Sequence, residues 1–155
     1  MPREYSPWAA YRGALRAGVA GACLFLLVAC AGRATPYSPG PDPLVQAYLE
    51  RALVAERIAY KRGYTGEYLA MNPSKQSRLE ALGEEARAVP MVRERIAPVD
   101  TCATDRLRAY LKSADALFVI TALPEGGELQ MSEASYRALD VAARYQGFVS
   151  ECGAR

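Results

Sequence analysis

Cys102 and Cys152 lie 50 residues apart. The midpoint between them is residue 127, inside the Gly126-Gly127 pair. In an antiparallel hairpin of two equal helices, positions equidistant from the turn are neighbours, so the spacing predicts a Cys102–Cys152 disulfide. There is no Cys-x-x-Cys, which argues against a redox dithiol. Closing a loop of this length contributes about 4 kcal/mol in the chain-entropy account. Glu56 is the polar residue that helical periodicity sets on an apolar face, between Val45, Leu49, Ala52 and Tyr60. A buried carboxylate requires a partner or a raised pKa. Glu56 therefore reads as a general acid, as a ligand-binding carboxylate or, the favoured reading, as the buried hydrogen-bond partner of a tyrosine or arginine from another helix or a residue at the edge of the core. Tyr60, Arg62, Tyr64 and Tyr68 surround the segment 61–67. Tyrosine and arginine dominate protein-binding hot spots, and the same residues would also suit packing over the end of a helical bundle. The pairs Glu84-Glu85 and Glu125 with Glu128 are weak signals, because adjacent helical residues do not face one another and turn acids are solvated.

The chain has no histidine. That removes the commonest general base and metal ligand, and with them Ser-His-Asp and Cys-His catalysis in their usual forms. Two cysteines do not make a structural zinc site, and a lone Gly-Gly pair is no phosphate loop. No metal, cofactor or catalytic residue is expected, and the chain is read as a non-enzyme.

Leu27-Val28-Ala29-Cys30 ends an apolar run, 19–31, that follows Arg12 and Arg16. About 13 apolar residues fall short of the roughly 20 needed to span a bilayer. A basic segment, an apolar segment and small residues at a cut point form a secretory signal. With a cysteine after the cut, the pattern resembles bacterial lipoprotein signal peptides. The resemblance implies cleavage before Cys30, diacylglycerol and palmitate chains on that cysteine, and a membrane tether in the cell envelope. Ala31 and Gly32 stand where such proteins carry an inner-membrane retention aspartate, which implies the outer membrane facing the periplasm in a Gram-negative cell. That compartment is oxidising, as the disulfide requires. Loss of 1–29 removes three of 19 basic and one of 17 acidic residues, leaving 16 of each. No basic stripe remains to argue for nucleic acid.

Three segments follow: a signal, 1–29; the acylated cysteine with a Pro-rich tether, 30–43; and a helical domain, 44–155. Asp42-Pro43 and Asn72-Pro73 each pair an N-cap with proline at the first helical position. Apolar spacing predicts helices over about 43–62, 73–97, 101–122 and 133–150, with Pro90 kinking or dividing the second and a turn at 123–129. The expectation is an all-α fold, an antiparallel helical bundle of about four helices with a disulfide-closed C-terminal helical hairpin. A small helical domain on a lipid anchor resembles pilotins in architecture, which implies an adaptor that binds another envelope protein. An inhibitor or exclusion factor acting on a periplasmic or extracellular protein is the alternative. A small-ligand-binding lipoprotein with Glu56 as polar anchor is the other.

Overall fold

The computed structural model of the protein describes residues 34–154. The signal pattern and Cys30 lie outside the described residues. The fold is mixed α/β, which overturns the all-α bundle. Among the described residues, five α-helices are interspersed with two antiparallel sheets.

Helix α1, Pro43–Ala55, begins as its cap predicts. Asp42 accepts from the amides of Leu44 and Val45, with Pro43 in the first turn. It stops well before residue 62. Arg57 takes a left-handed conformation, φ 56°, and Ile58 N–H bonds back to Leu53 while Arg57 N–H bonds to Val54. This is the double hydrogen bond of a helix end that usually carries glycine. The chain then forms a hairpin, β1 (Tyr60–Arg62) against β2 (Tyr68–Ala70). Asn72 caps a short 3-10 turn, Pro73–Lys75, that leads into α2, Gln76–Arg87.

Pro90 divides the expected 73–97 helix. Beyond it Met91–Ile96 is strand β3. Helix α3, Cys102–Ser113, also ends on a left-handed non-glycine residue, Asp115, φ 52°. The remainder of the expected 101–122 helix is strand β4, Phe118–Leu123, and the expected turn at 123–129 is largely strand β5, Gly126–Ser132. Helices α4 (Glu133–Ala138) and α5 (Val141–Gly153) follow, separated at Asp140. Strand order is β3-β5-β4, with β5 antiparallel to both edges. Helix α3 therefore crosses between two parallel edge strands, a split β-α-β unit.

Two clusters of apolar side chains hold the domain. Leu49 and Leu53 of α1, Leu79 and Leu82 of α2, Ile58 and Tyr68 form the first. Leu107 and Leu111 of α3, Leu129 and Met131 of β5, Val141 and Tyr145 of α5 form the second. Each fully buried leucine contributes about 1.5–3 kcal/mol by leaving water.

Residues at the end of the expected tether are bound to the domain. Tyr37 bridges Tyr68 through both backbone bonds, 2.9 and 2.7 Å. Its ring lies against Gly83, where a Cβ would meet ring atoms at 2.1–2.4 Å. Its hydroxyl donates to Glu84 at 2.9 Å. Arg87 covers the ring at 5.5 Å and donates to the carbonyls of Ser38 and Pro39.

Candidate functional site

The hairpin carries the tyrosine-arginine group. Its loop is three residues, Tyr64-Thr65-Gly66, closed by Gly66 N–H to Gly63 C=O at 3.2 Å and Gly63 N–H to Glu67 C=O at 2.8 Å. Gly66 sits at φ 90°, the bulge position that a three-residue hairpin loop needs and that favours glycine. Tyr64 stands at the apex and is fully exposed.

The stem beneath is braced from α1. Gln46 and Glu50, one turn apart, face the hairpin while Val45, Leu49 and Leu53 face the core. Arg62 donates to Glu50 at 2.9 Å and also to the Gln46 side-chain oxygen. The same Glu50 oxygen accepts the Tyr68 hydroxyl at 2.7 Å. The Arg62 guanidinium lies over the Tyr68 ring, 5.6 Å from its centre, and the Tyr60 ring is 5.5 Å from that of Tyr68. Tyr68 is completely buried. Burial, then the bond to Glu50, pushes its phenol well above the usual tyrosine range. Burial and the Glu50 charge raise Tyr60 as well. Neither phenol is a base or nucleophile near neutral pH. The cluster positions the hairpin and leaves one aromatic side chain free at its tip. The fold thus brings Tyr60, Arg62 and Tyr68 together, and it sets Tyr64 apart from them.

Glu56 is exposed rather than buried. The helix that would have turned it inward ends one residue earlier. Arg78 of α2 grips both its oxygens, at 2.9 Å to Oε2, and bonds Glu85 with its other arm at 2.9 Å. The Arg78 bond holds the Glu56 carboxyl below the usual carboxylate range. A permanently ionised surface carboxylate on a guanidinium is a poor general acid. Of the other paired acids, Glu84 serves Tyr37 and Arg87, and Glu128 is 4.0 Å from Arg93.

Cys102 and Cys152 are joined in a disulfide, with Cα atoms 6.0 Å apart, between the start of α3 and the end of α5. The helical hairpin expected around residue 127 is replaced by the β4-β5 hairpin. That hairpin turns at Pro124-Glu125, close to the same midpoint, so the two helices still return side by side.

A cavity between the sheet and α5 has no counterpart in the helical pattern, because the apolar spacing of its strands also fits a helix face. It is water-sized, about 30 Å³, and is lined by Glu94, Tyr136, Tyr145 and Gln146 among apolar neighbours. Glu56 does not line it. Among the described residues no cluster of His, Cys, Asp or Glu side chains could hold a metal ion, and no helix is long and apolar enough to cross a membrane.

No family model, curated protein or solved structure matches the chain. The site must be read from its own chemistry.

Proposed function

We propose that this protein is a lipid-anchored envelope adaptor, tethered through Cys30, that recognises another envelope protein with the tip of its β1-β2 hairpin. Tyr64 carries the reading. Covering an aromatic side chain that is completely open to water gains about 25 cal/mol per Å² of apolar surface removed from it. This one sits on a loop closed by two backbone bonds and on a stem fixed by Arg62, Glu50 and Tyr68. A rigid stem reduces the ordering cost of association, and a tyrosine offers a large contact area with few rotatable bonds. The lipobox-like segment Leu27 to Cys30 supplies the anchor, and the even charge balance after residue 29 supports a protein partner over nucleic acid.

A photo-reactive benzophenone amino acid at position 64 of the full chain tests this in cells. One envelope protein should be trapped, and Tyr64→Ala should abolish its co-purification while changing stability by less than about 0.5 kcal/mol. Trapping of a soluble hydrolase would turn the reading to an inhibitor. Undiminished partner recovery by Tyr64→Ala would remove the hairpin from the interface.

A further inference from the structure

The two edges of the three-stranded sheet are built differently. Edge strand β3 carries Arg93, Glu94 and Arg95 in succession. Charges on an edge discourage another strand from pairing with it. Edge strand β4 reads Phe118-Val119-Ile120-Thr121-Ala122-Leu123, with no charge, no proline and three β-branched residues in a row. Strands of this composition pair readily.

The hydrogen-bond parity of β4 follows from its register. Leu123 faces Gly126 across a two-residue loop, so these two exchange both backbone bonds. Alternation then places Thr121 with Glu128 and Val119 with Gln130 as bonded pairs. The N–H and C=O groups of Phe118, Ile120 and Ala122 point to the open side. Among the described residues, no backbone bond beyond the β5 ladder involves any of the three. Thr121 and Ala122 are exposed, and Phe118 to Ile120 are half-buried.

We infer that β4 pairs antiparallel with β4 of a second copy, making a continuous six-stranded sheet. The occupant is argued from self-complementarity. A twofold axis at Ile120 sets Ile120 against Ile120 and Phe118 against Ala122. All three outward residues then fall on bonded pairs, giving roughly six new hydrogen bonds. Large Phe118 meets small Ala122, and Val119 meets Thr121. Within the paired strands no like charges are brought together, whereas the same operation on β3 would set Arg93 against Arg95. Two six-residue strands bury less than the roughly 1,000 Å² of a stable interface. The pair therefore exchanges rapidly in dilute solution, and a covalent trap is the right readout. This inference is independent of the hairpin reading.

The experiment places the benzophenone amino acid at Thr121 of the full chain in cells. The expected product is a covalent dimer whose cross-linked peptide joins β4 to β4. Ala122→Pro removes one outward N–H and none of the bonds to β5. Ala122→Lys places a charge beside Phe118 of the second copy. Both should lose the dimer while keeping the Cys102–Cys152 disulfide and wild-type protease resistance. Any of three results overturns the inference: no dimer adduct; adducts only to a different protein or to another segment of the second copy; or dimers undiminished in both folded variants.

Discussion

Residues 36–89 and residues 90–154 are of similar size and each closes over its own apolar cluster, yet only the second is fastened by a covalent cross-link. Each half carries cation-π contacts and ion pairs: Arg62 over Tyr68, Arg87 over Tyr37 and Arg78 between Glu56 and Glu85 in the first, Arg144 over Tyr110 and Arg106 with Glu151 in the second. The second half adds one covalent bond between the start of α3 and the end of α5, and its strands of six and seven residues pair over a longer stretch than the three-residue hairpin of the first. Ionic and cation-π contacts respond to pH, salt and neighbouring groups, while a disulfide responds only to reductant. The half that presents the exposed tyrosine is the half held by non-covalent contacts alone.

Reduction should separate the halves most strongly. Replacing Cys102 and Cys152 by serine is expected to remove about 4 kcal/mol of stability, as loop closure over 50 residues predicts. Amide exchange should show the loss in α3, the sheet and α5, with α1 and α2 nearly unchanged. A uniform loss would mean that the halves unfold as one unit. Gly83→Ala strikes the first half alone. Its Cβ would overlap the Tyr37 ring, so the ring must leave or α2 must shift, at about 1–3 kcal/mol. Protease sensitivity should appear near residues 36–42. Arg57→Gly goes the other way. It relieves a left-handed arginine and is expected to stabilise the fold by roughly 0.5–1 kcal/mol after the extra chain entropy of glycine is deducted, read as a higher thermal midpoint. Asp115→Gly should gain less, because Arg51 donates to both the carbonyl and the carboxylate of Asp115.

Alkaline pH offers a milder probe. Burial and the bond to Glu84 push the Tyr37 phenol up to about 12, above its ordinary value of 10.0. A folded-state pKa raised above the unfolded one stabilises fully below pH 10.0 and is lost as pH rises toward about 12. The first half, which also holds Tyr60 and Tyr68, should loosen before the second. Tyrosinate absorbance against near-ultraviolet circular dichroism would follow it, and Tyr37→Phe should delay the loosening.

Some of this was open to reading in the sequence. The Asp42-Pro43 and Asn72-Pro73 caps mark real starts, because a cap is local chemistry between a side chain and the next two amides. The cysteine pairing is legible because the midpoint between the two residues lies close to the turn whether helices or strands flank it. Helix ends were less legible. Arg57 and Asp115 occupy left-handed positions where glycine usually signals the stop, and without that signal the apolar spacing of α1 and α3 runs on into strands. The run Phe118-Val119-Ile120-Thr121 fits a helix face and a buried strand alike, and only pairing with β5 decides between them. For the site, tyrosine and arginine types drew attention to 60–68, but a helical wheel could not separate the anchored Tyr68 from the free Tyr64. The Gly63-Tyr64-Thr65-Gly66 loop between two short β-prone runs was the hairpin signal that could have done so.

Tyr37 lies seven residues ahead of the boundary at Leu44 that helical periodicity suggests. A fragment cut at Leu44 would lose only Pro43 and the Asp42 cap from the helices and strands, and its far-ultraviolet spectrum would look nearly native. It would nevertheless lose the aromatic wall that fills the Gly83 notch, leave Arg87 without its two carbonyl acceptors, and open the outer edge of β2 at Tyr68. Truncation at that point would produce a domain that is intact by inventory and sticky in practice.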